Sequence, residues 1–138
     1  AVTAYWHQIN GMLENESFAI IGHLDKIKMH NQGRWFREDA KWYAGLVNET
    51  LALIAEKEVI VEVNTRGIYK GRSDSLFPGE TILRIIRERN IPVTISSDAH
   101  QPSEISLMFG QAEEVLKKCG IRSVSRYHAG SWLEAGIV

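Results

Sequence analysis

The run Val59-Ile60-Val61-Glu62-Val63-Asn64-Thr65-Arg66-Gly67 decides the fold. Its apolar positions are β-branched and the apolar stretch is short, so Val59 to Thr65 is predicted to be a strand buried in a sheet. Glu62 and Asn64, with Arg66 beyond them, alternate along one side of it. A side that polar in a buried strand implies a wet pocket next to the sheet.

Working outward, Glu38 to Glu58 carries Tyr43, Leu46, Val47, Thr50, Leu51 and Ile54 on one side and is predicted to be a long amphipathic helix. Phe18 to His23 reads as a buried strand, preceded by a helix from Ala4 to Asn15 that carries Trp6, Ile9, Met12 and Leu13. Downstream, Glu80 to Arg89 reads as a short helix and Val93 to Ser97 as a third strand, ending at Asp98. A helix from Ser103 to Lys118 follows, with Ser103 as its N-cap and Glu104 at the positive end of its dipole. Ser123 to Val138 is predicted to hold one or two short strands with a turn at Ala129-Gly130. Strands alternating with helices give an α/β fold, with parallel strands joined by crossover helices. Right-handed crossovers gather the C-terminal ends of the strands at one rim, where β/α folds carry their sites.

Composition narrows the function. The chain has 138 residues, 44% hydrophobic and 24% charged, which suits one soluble domain with a hydrophobic core. A net charge of -1 without a basic stripe argues against nucleic acid as partner. No apolar run reaches the ~20 residues that cross a bilayer, and Ala1 to Ser17 lacks the features of a signal peptide. Cys119 is the single cysteine, which rules out an intrachain disulfide and a sulfur-only zinc site and suits a reducing cytoplasm. It is read as a buried packing residue.

Three predicted strands end in residues capable of chemistry. The first ends at His23, the second in Glu62, Asn64 and Arg66, the third in Ser97-Asp98-Ala99-His100. Asp98 and His100 offer an oxygen and an imidazole donor two positions apart, a mixture that zinc, manganese or iron accepts. An isolated Asp-x-His reads as a turn cap; after an apolar strand, and beside a second strand-end histidine, the metal reading outweighs it. The fork of Arg66 matches two phosphate oxygens, the alternative being an ion pair with a neighbouring carboxylate. Lys26 and Lys28, in the basic, aromatic loop from Leu24 to Arg37, could add positive charge at the rim, the alternative for each taken alone being a solvated surface lysine. His30 in that loop reads as exposed, His7 as a surface or packing residue, and His128 is given no role.

At this point the chain resembles a known family. Ile20-Ile21-Gly22-His23-Leu24-Asp25-Lys26-Ile27-Lys28, Glu62-Val63-Asn64-Thr65-Arg66-Gly67-Ile68-Tyr69-Lys70-Gly71 and Ile95-Ser96-Ser97-Asp98-Ala99-His100 resemble the later motifs of the polymerase-and-histidinol-phosphatase (PHP) superfamily, in its histidinol-phosphatase branch. The resemblance runs from about Ala4 through Glu114. It implies a distorted (β/α)7 TIM-like barrel with two or three divalent metal ions at the C-terminal rim. His23, Asp98 and His100 would be metal ligands, Asp98 and His100 thereby catalytic. Arg66, with Lys28 as second candidate, would contact the phosphate. The implied reaction is hydrolysis of a small phosphate monoester, L-histidinol phosphate, to L-histidinol and phosphate in cytoplasmic histidine biosynthesis.

The departures also carry expectations. The His-x-His motif that opens family members is absent, as is the motif supplying a bridging Glu. A closed barrel of this type takes ~250 residues. Residues 1–138 are therefore expected to be one domain, the C-terminal half of a barrel, with the N-terminal motifs preceding Ala1. Such a half should be inactive by itself and should self-associate to cover its open face. The rival readings are another PHP-type phosphoesterase or nuclease-like domain, a metal amidohydrolase on a similar barrel, and a non-catalytic binding domain.

Overall fold

The computed structural model describes all of residues 1–138. Along the chain run α1 (Val2–Asn15), β1 (Ile20–Ile21), α2 (Lys41–Lys57), β2 (Ile60–Asn64), the short α3 (Arg66–Tyr69), α4 (Glu80–Glu88), β3 (Val93–Ser96), α5 (Phe109–Lys118), β4 (Ser123–His128) and β5 (Ser131–Gly136). β1, β2 and β3 form a parallel sheet with β2 in the middle. Val61 stands between Ile21 and Val93, while Glu62 and Asn64 stand opposite Thr94 and Ser96. Pleating sends Val61 and Val63 to one face and Glu62 and Asn64 to the other.

The apolar face is covered. Ile21, Val61, Val63 and Val93 share one core with Trp6 and Leu13 of α1, Leu51 and Ile54 of α2, Leu83 and Ile86 of α4 and Leu116 of α5. Each of these aliphatic side chains contributes roughly 1.5–3 kcal/mol by full burial. Buried positions recur at helical spacing, as Tyr43, Val47, Thr50, Leu51 and Ile54 do along α2. Thr50 donates to Asn10 Oδ1 at 2.6 Å, so the polar pair buried between α2 and α1 is satisfied internally. Cys119 is buried in the same core. The opposite face of the sheet carries Glu62, Asn64, Thr94 and Ser96, and Ile20, which shares it, is 37% exposed. No helix is long and apolar enough to cross a membrane.

The last segment is an antiparallel hairpin of β4 and β5. Its two turn residues, Ala129 and Gly130, both have positive φ, 48° and 86°. That is the twist-compatible turn for a two-residue loop.

Three expectations need correction. The first strand is only two residues long, and at its C-terminal end the His23 N–H is taken by Glu62 Oε2 at 2.7 Å and leaves the ladder. The helix expected from Ser103 is broken: Pro102–Glu104 forms one 3₁₀ turn, and α5 starts at Phe109 after Met108, whose φ is 67°. The break has a cause. Ser97 Oγ donates to the Ile105 carbonyl and Thr65 Oγ1 to the Leu107 carbonyl, both at 2.8 Å, oxygens that a continuous helix would use. Ser103 is exposed and caps nothing. Lastly, the short α3 forms between Thr65 and Glu80, where no element was predicted, and its first residue, Arg66, gives its N–H to Asn64 Oδ1 at 2.8 Å.

Candidate functional site

The parallel sheet sets the ends of its strands side by side, and three predicted site residues meet there. His23, Arg66 and Asp98 line one small cleft with Asn64, Gly67, Phe77, Lys26, Met29 and Arg72. Its volume is about 10 Å³, room for about one water. A substrate would lie over it rather than inside it. His23 and Asp98 both hold positive φ, 26° and 51°. Non-glycine residues pay for that backbone in strain, and such residues concentrate at functional sites.

Each element fixes its contribution by short bonds. On the polar face of the sheet Glu62 Oε2 receives the His23 N–H and, at 3.2 Å, Asn64 Nδ2. Gly22 leaves room for that carboxylate, since a Cβ there would lie 3.3 Å from Glu62 Oε2. Arg66 is anchored through one nitrogen. Its Nη1 donates to the Asp98 carbonyl at 3.0 Å, to Glu104 Oε2 at 3.2 Å and to the Tyr69 hydroxyl at 3.3 Å. The ion pair weighed as the alternative for Arg66 is therefore present. It leaves Nε and Nη2 without partners inside the protein.

His100 stays outside the cleft. Its side chain is 62% exposed, and its Nδ1 donates to the Asp98 carbonyl at 2.8 Å, 3.9 Å from Asp98 Oδ1. In the neutral ring this leaves the lone pair on Nε2, the form in which a histidine binds metal. The fit to a metal is nevertheless incomplete. No three His, Cys, Asp or Glu side chains of this chain gather closely enough to hold an ion.

Lys28 does not reach the cleft. It is buried, paired with Asp25 Oδ2 at 2.9 Å and donating to the Leu76 carbonyl at 2.7 Å. Asp25 also accepts the Gly79 N–H at 3.1 Å. Burial pushes the Asp25 carboxyl up, and Lys28 holds it back. The geometry reassigns Lys28 from substrate contact to internal counterion. His7 and His128 are exposed, and His30 lines a polar groove beside Arg72.

Sequence reasoning missed two groups. Arg72 lines the cleft, and neither it nor Lys26 has a carboxylate within 4.0 Å. Glu104 is buried and gathers five donors: Lys70 Nζ at 2.6 Å, the His100 N–H at 2.9 Å, Arg66 Nη1 at 3.2 Å, Gln101 Nε2 at 3.2 Å and, at 3.4 Å, the Tyr69 hydroxyl, which is shared with the Ser97 carbonyl. The His100 N–H and Lys70 hold its carboxyl down at about 2. A larger hollow of about 640 Å³ between α2 and α4 is edged by Glu38, Asp39, Asp74 and Glu80, charges that repel an anion.

Comparison with known proteins agrees with the motifs. The chain is 29% identical to a Deinococcus radiodurans protein named "Probable histidinol-phosphatase", over 90% of this chain and 45% of the relative. Proteins of the same name match at 26% identity in Schizosaccharomyces pombe, over 80% of this chain and 37% of the relative, and in Clostridium acetobutylicum, over 79% and 41%. The chain thus spans less than half the length of these curated relatives. A crystal structure from Listeria monocytogenes, assigned as a histidinol phosphatase, superposes with a TM-score of 0.73 at 19% identity, over 80% of this chain and 43% of that one. At that identity the likeness shows the fold. No family model matches the chain.

Proposed function

Taking its similarity to part of the histidinol-phosphatases as the premise, we propose that this chain supplies one portion of a phosphate-monoester hydrolase acting on L-histidinol phosphate. The observation that carries the reading is the cleft: Lys26, Arg66 and Arg72 border it at the ends of parallel strands, and two of these cations have no internal counter-charge. Such a place favours a dianionic phosphate.

In this reading the sheet is an arc of a TIM-like barrel. Parallel sheets ordinarily have both faces covered; here helices cover one face and the polar face would be barrel interior. Arg66, held through Nη1, aims its free nitrogens at phosphate oxygens and meets charge that grows on them. Arg72 and Lys26 draw the phosphate in. Asp98, His100 and His23 would be this chain's donors to zinc, manganese or iron, the rest of the set coming from outside these residues. When bound, the metal supplies Lewis acidity and an activated water. The 138 residues alone would be inactive, their ligand set being incomplete.

The test joins the chain to what it lacks. A chimera carrying residues 1–138 in the matching stretch of the Deinococcus radiodurans relative should release phosphate from L-histidinol phosphate and not from nucleic acid, while the chain alone should release none. A folded, metal-loaded chimera that leaves histidinol phosphate intact refutes the activity. Turnover by the chain alone refutes the incompleteness. One observation, the lack of three gathered metal donors, favours a second reading as a non-catalytic binding domain. Metal analysis of the chimera separates the two, since a binding domain would hold none.

A further inference from the structure

Glu104 is the most heavily bonded carboxylate near the cleft, yet it does not line the cleft and meets it only through Arg66. Its donors come from two separate segments. Arg66 and Lys70 follow β2, and the His100 N–H and Gln101 belong to the turn after β3. Arg66 completes the link by donating to the Asp98 carbonyl, which also receives His100 Nδ1. One buried carboxylate thereby ties the guanidinium to the backbone turn of the Asp98–His100 segment. A guanidinium anchored at one nitrogen presents the others in a fixed direction, so less order is lost when an anion binds.

We propose that Glu104 is a positioning residue that aims Arg66 at the phosphate and sets the Asp98–His100 turn beside it. This rests on the phosphate-binding reading of the cleft. The competing account is electrostatic: Glu104 merely neutralises Arg66 and Lys70, and so opposes an anion. The two accounts predict opposite signs. Removing the carboxylate charge raises the local positive potential and should tighten phosphate binding if charge is all that matters. If aim matters, binding weakens.

The experiment uses the 138-residue chain, inorganic phosphate as probe and nuclear magnetic resonance as readout. In the wild type the Arg66 guanidinium protons should give separate, slowly exchanging signals, and phosphate should shift the amides of Asn64, Arg66 and Asp98. In Glu104→Gln those guanidinium signals should merge, the His100 amide should move, and phosphate affinity should fall about tenfold, the scale of one lost hydrogen bond to a charged group. Glu104→Asp keeps the charge but shortens the reach, so it should weaken binding as well, and it tests the idea if the Gln variant does not fold. Unchanged or tighter phosphate binding in both variants overturns the proposal, as does an Arg66 signature identical to wild type. If the wild type ignores phosphate while the Arg66 signals still depend on Glu104, the positioning role stands and the phosphate reading fails.

Discussion

Lys28→Met separates an internal counterion from a substrate contact. Lys28 and Asp25 expose 3% and 1% of their side chains, and the ammonium lies 2.9 Å from Asp25 Oδ2 and 2.7 Å from the Leu76 carbonyl. Methionine keeps most of the chain volume and removes every donor. The result is a buried carboxylate without its cation, a change that costs about 3–5 kcal/mol. Against a total stability of roughly 5–15 kcal/mol this is a large fraction. With a urea m-value of about 2 kcal/mol per molar, the unfolding midpoint should drop by about 2 M. The pH dependence has a definite sign. Burial already raises the Asp25 carboxyl, and loss of Lys28 raises it further. A group whose folded pKa is raised favours folding below its unfolded pKa, near 4, and loses that contribution as pH rises through the folded value. The penalty of Lys28→Met should therefore be largest near neutrality and shrink as pH falls towards 4. Adding Asp25→Asn should restore at least half of the loss, since removing both charges leaves no unpaired ion. Urea titrations at several pH values measure all of this. An unchanged midpoint in Lys28→Met, with phosphate binding lost, would refute the reasoning and return Lys28 to the substrate.

Gly67→Ala should cost about 1–3 kcal/mol by overpacking, because its Cβ would stand 2.7 Å from Phe77 Cε2; Gly45→Ala in α2, where a Cβ meets open space, should instead raise stability by about 0.5–1 kcal/mol in the same urea assay. The Glu104 carboxyl, held at about 2, lends stability above its ordinary range that is lost as pH falls through about 2. Acid unfolding followed by circular dichroism should therefore be less steep between pH 4.5 and 2 in Glu104→Gln than in the wild type. The open face of the sheet should make the chain self-associate, and Ile20→Lys should weaken this; sedimentation showing the wild type monomeric at high concentration would count against it.

What was legible depended on how local the cause was. Strand β2 announced itself because valine and isoleucine alternate with polar residues over a short run, and the hairpin because Ala129-Gly130 interrupts two short segments. The break before α5 was not legible. The sequence from Ser103 onward keeps a helical rhythm, and what interrupts it comes from hydroxyls on Ser97 and Thr65, the latter 42 positions away. Lys28 failed for a related reason. Asp25 and Lys28 lie three apart, a spacing that suggests a pair, but only the packed loop shows that the pair is buried rather than facing the rim. Glu104 was visible as an acid four positions after His100. Its role was hidden because Lys70 and Arg66 reach it from another strand end.

The incompleteness of the site and the polar face of the sheet have one origin in this reading. A parallel sheet carries unpaired strand edges and two faces, and an isolated domain gains by burying both. Here Val61 and Val63 pack into the hydrophobic core, while Glu62 and Asn64 on the same strand point to the other side, where Glu62 is half-buried and Asn64 is closed in by its bonds to the Arg66 N–H and Glu62. Selection for a self-sufficient two-layer domain would favour apolar residues or a second helical layer at that side; a wet interior requires polar ones. The same side carries the strand ends that hold His23, Arg66 and Asp98, and the one predicted donor left in solvent, His100, is tied at Nδ1 with Nε2 free. Polar face, water-sized cleft and a histidine held at Nδ1 with Nε2 in solvent are each unexplained in a closed domain. All three follow if, as proposed, the cleft is completed by residues outside these 138. A chimera in which His100 Nε2 remains as solvent-exposed as it is here, with no metal bound beside it, would break that link.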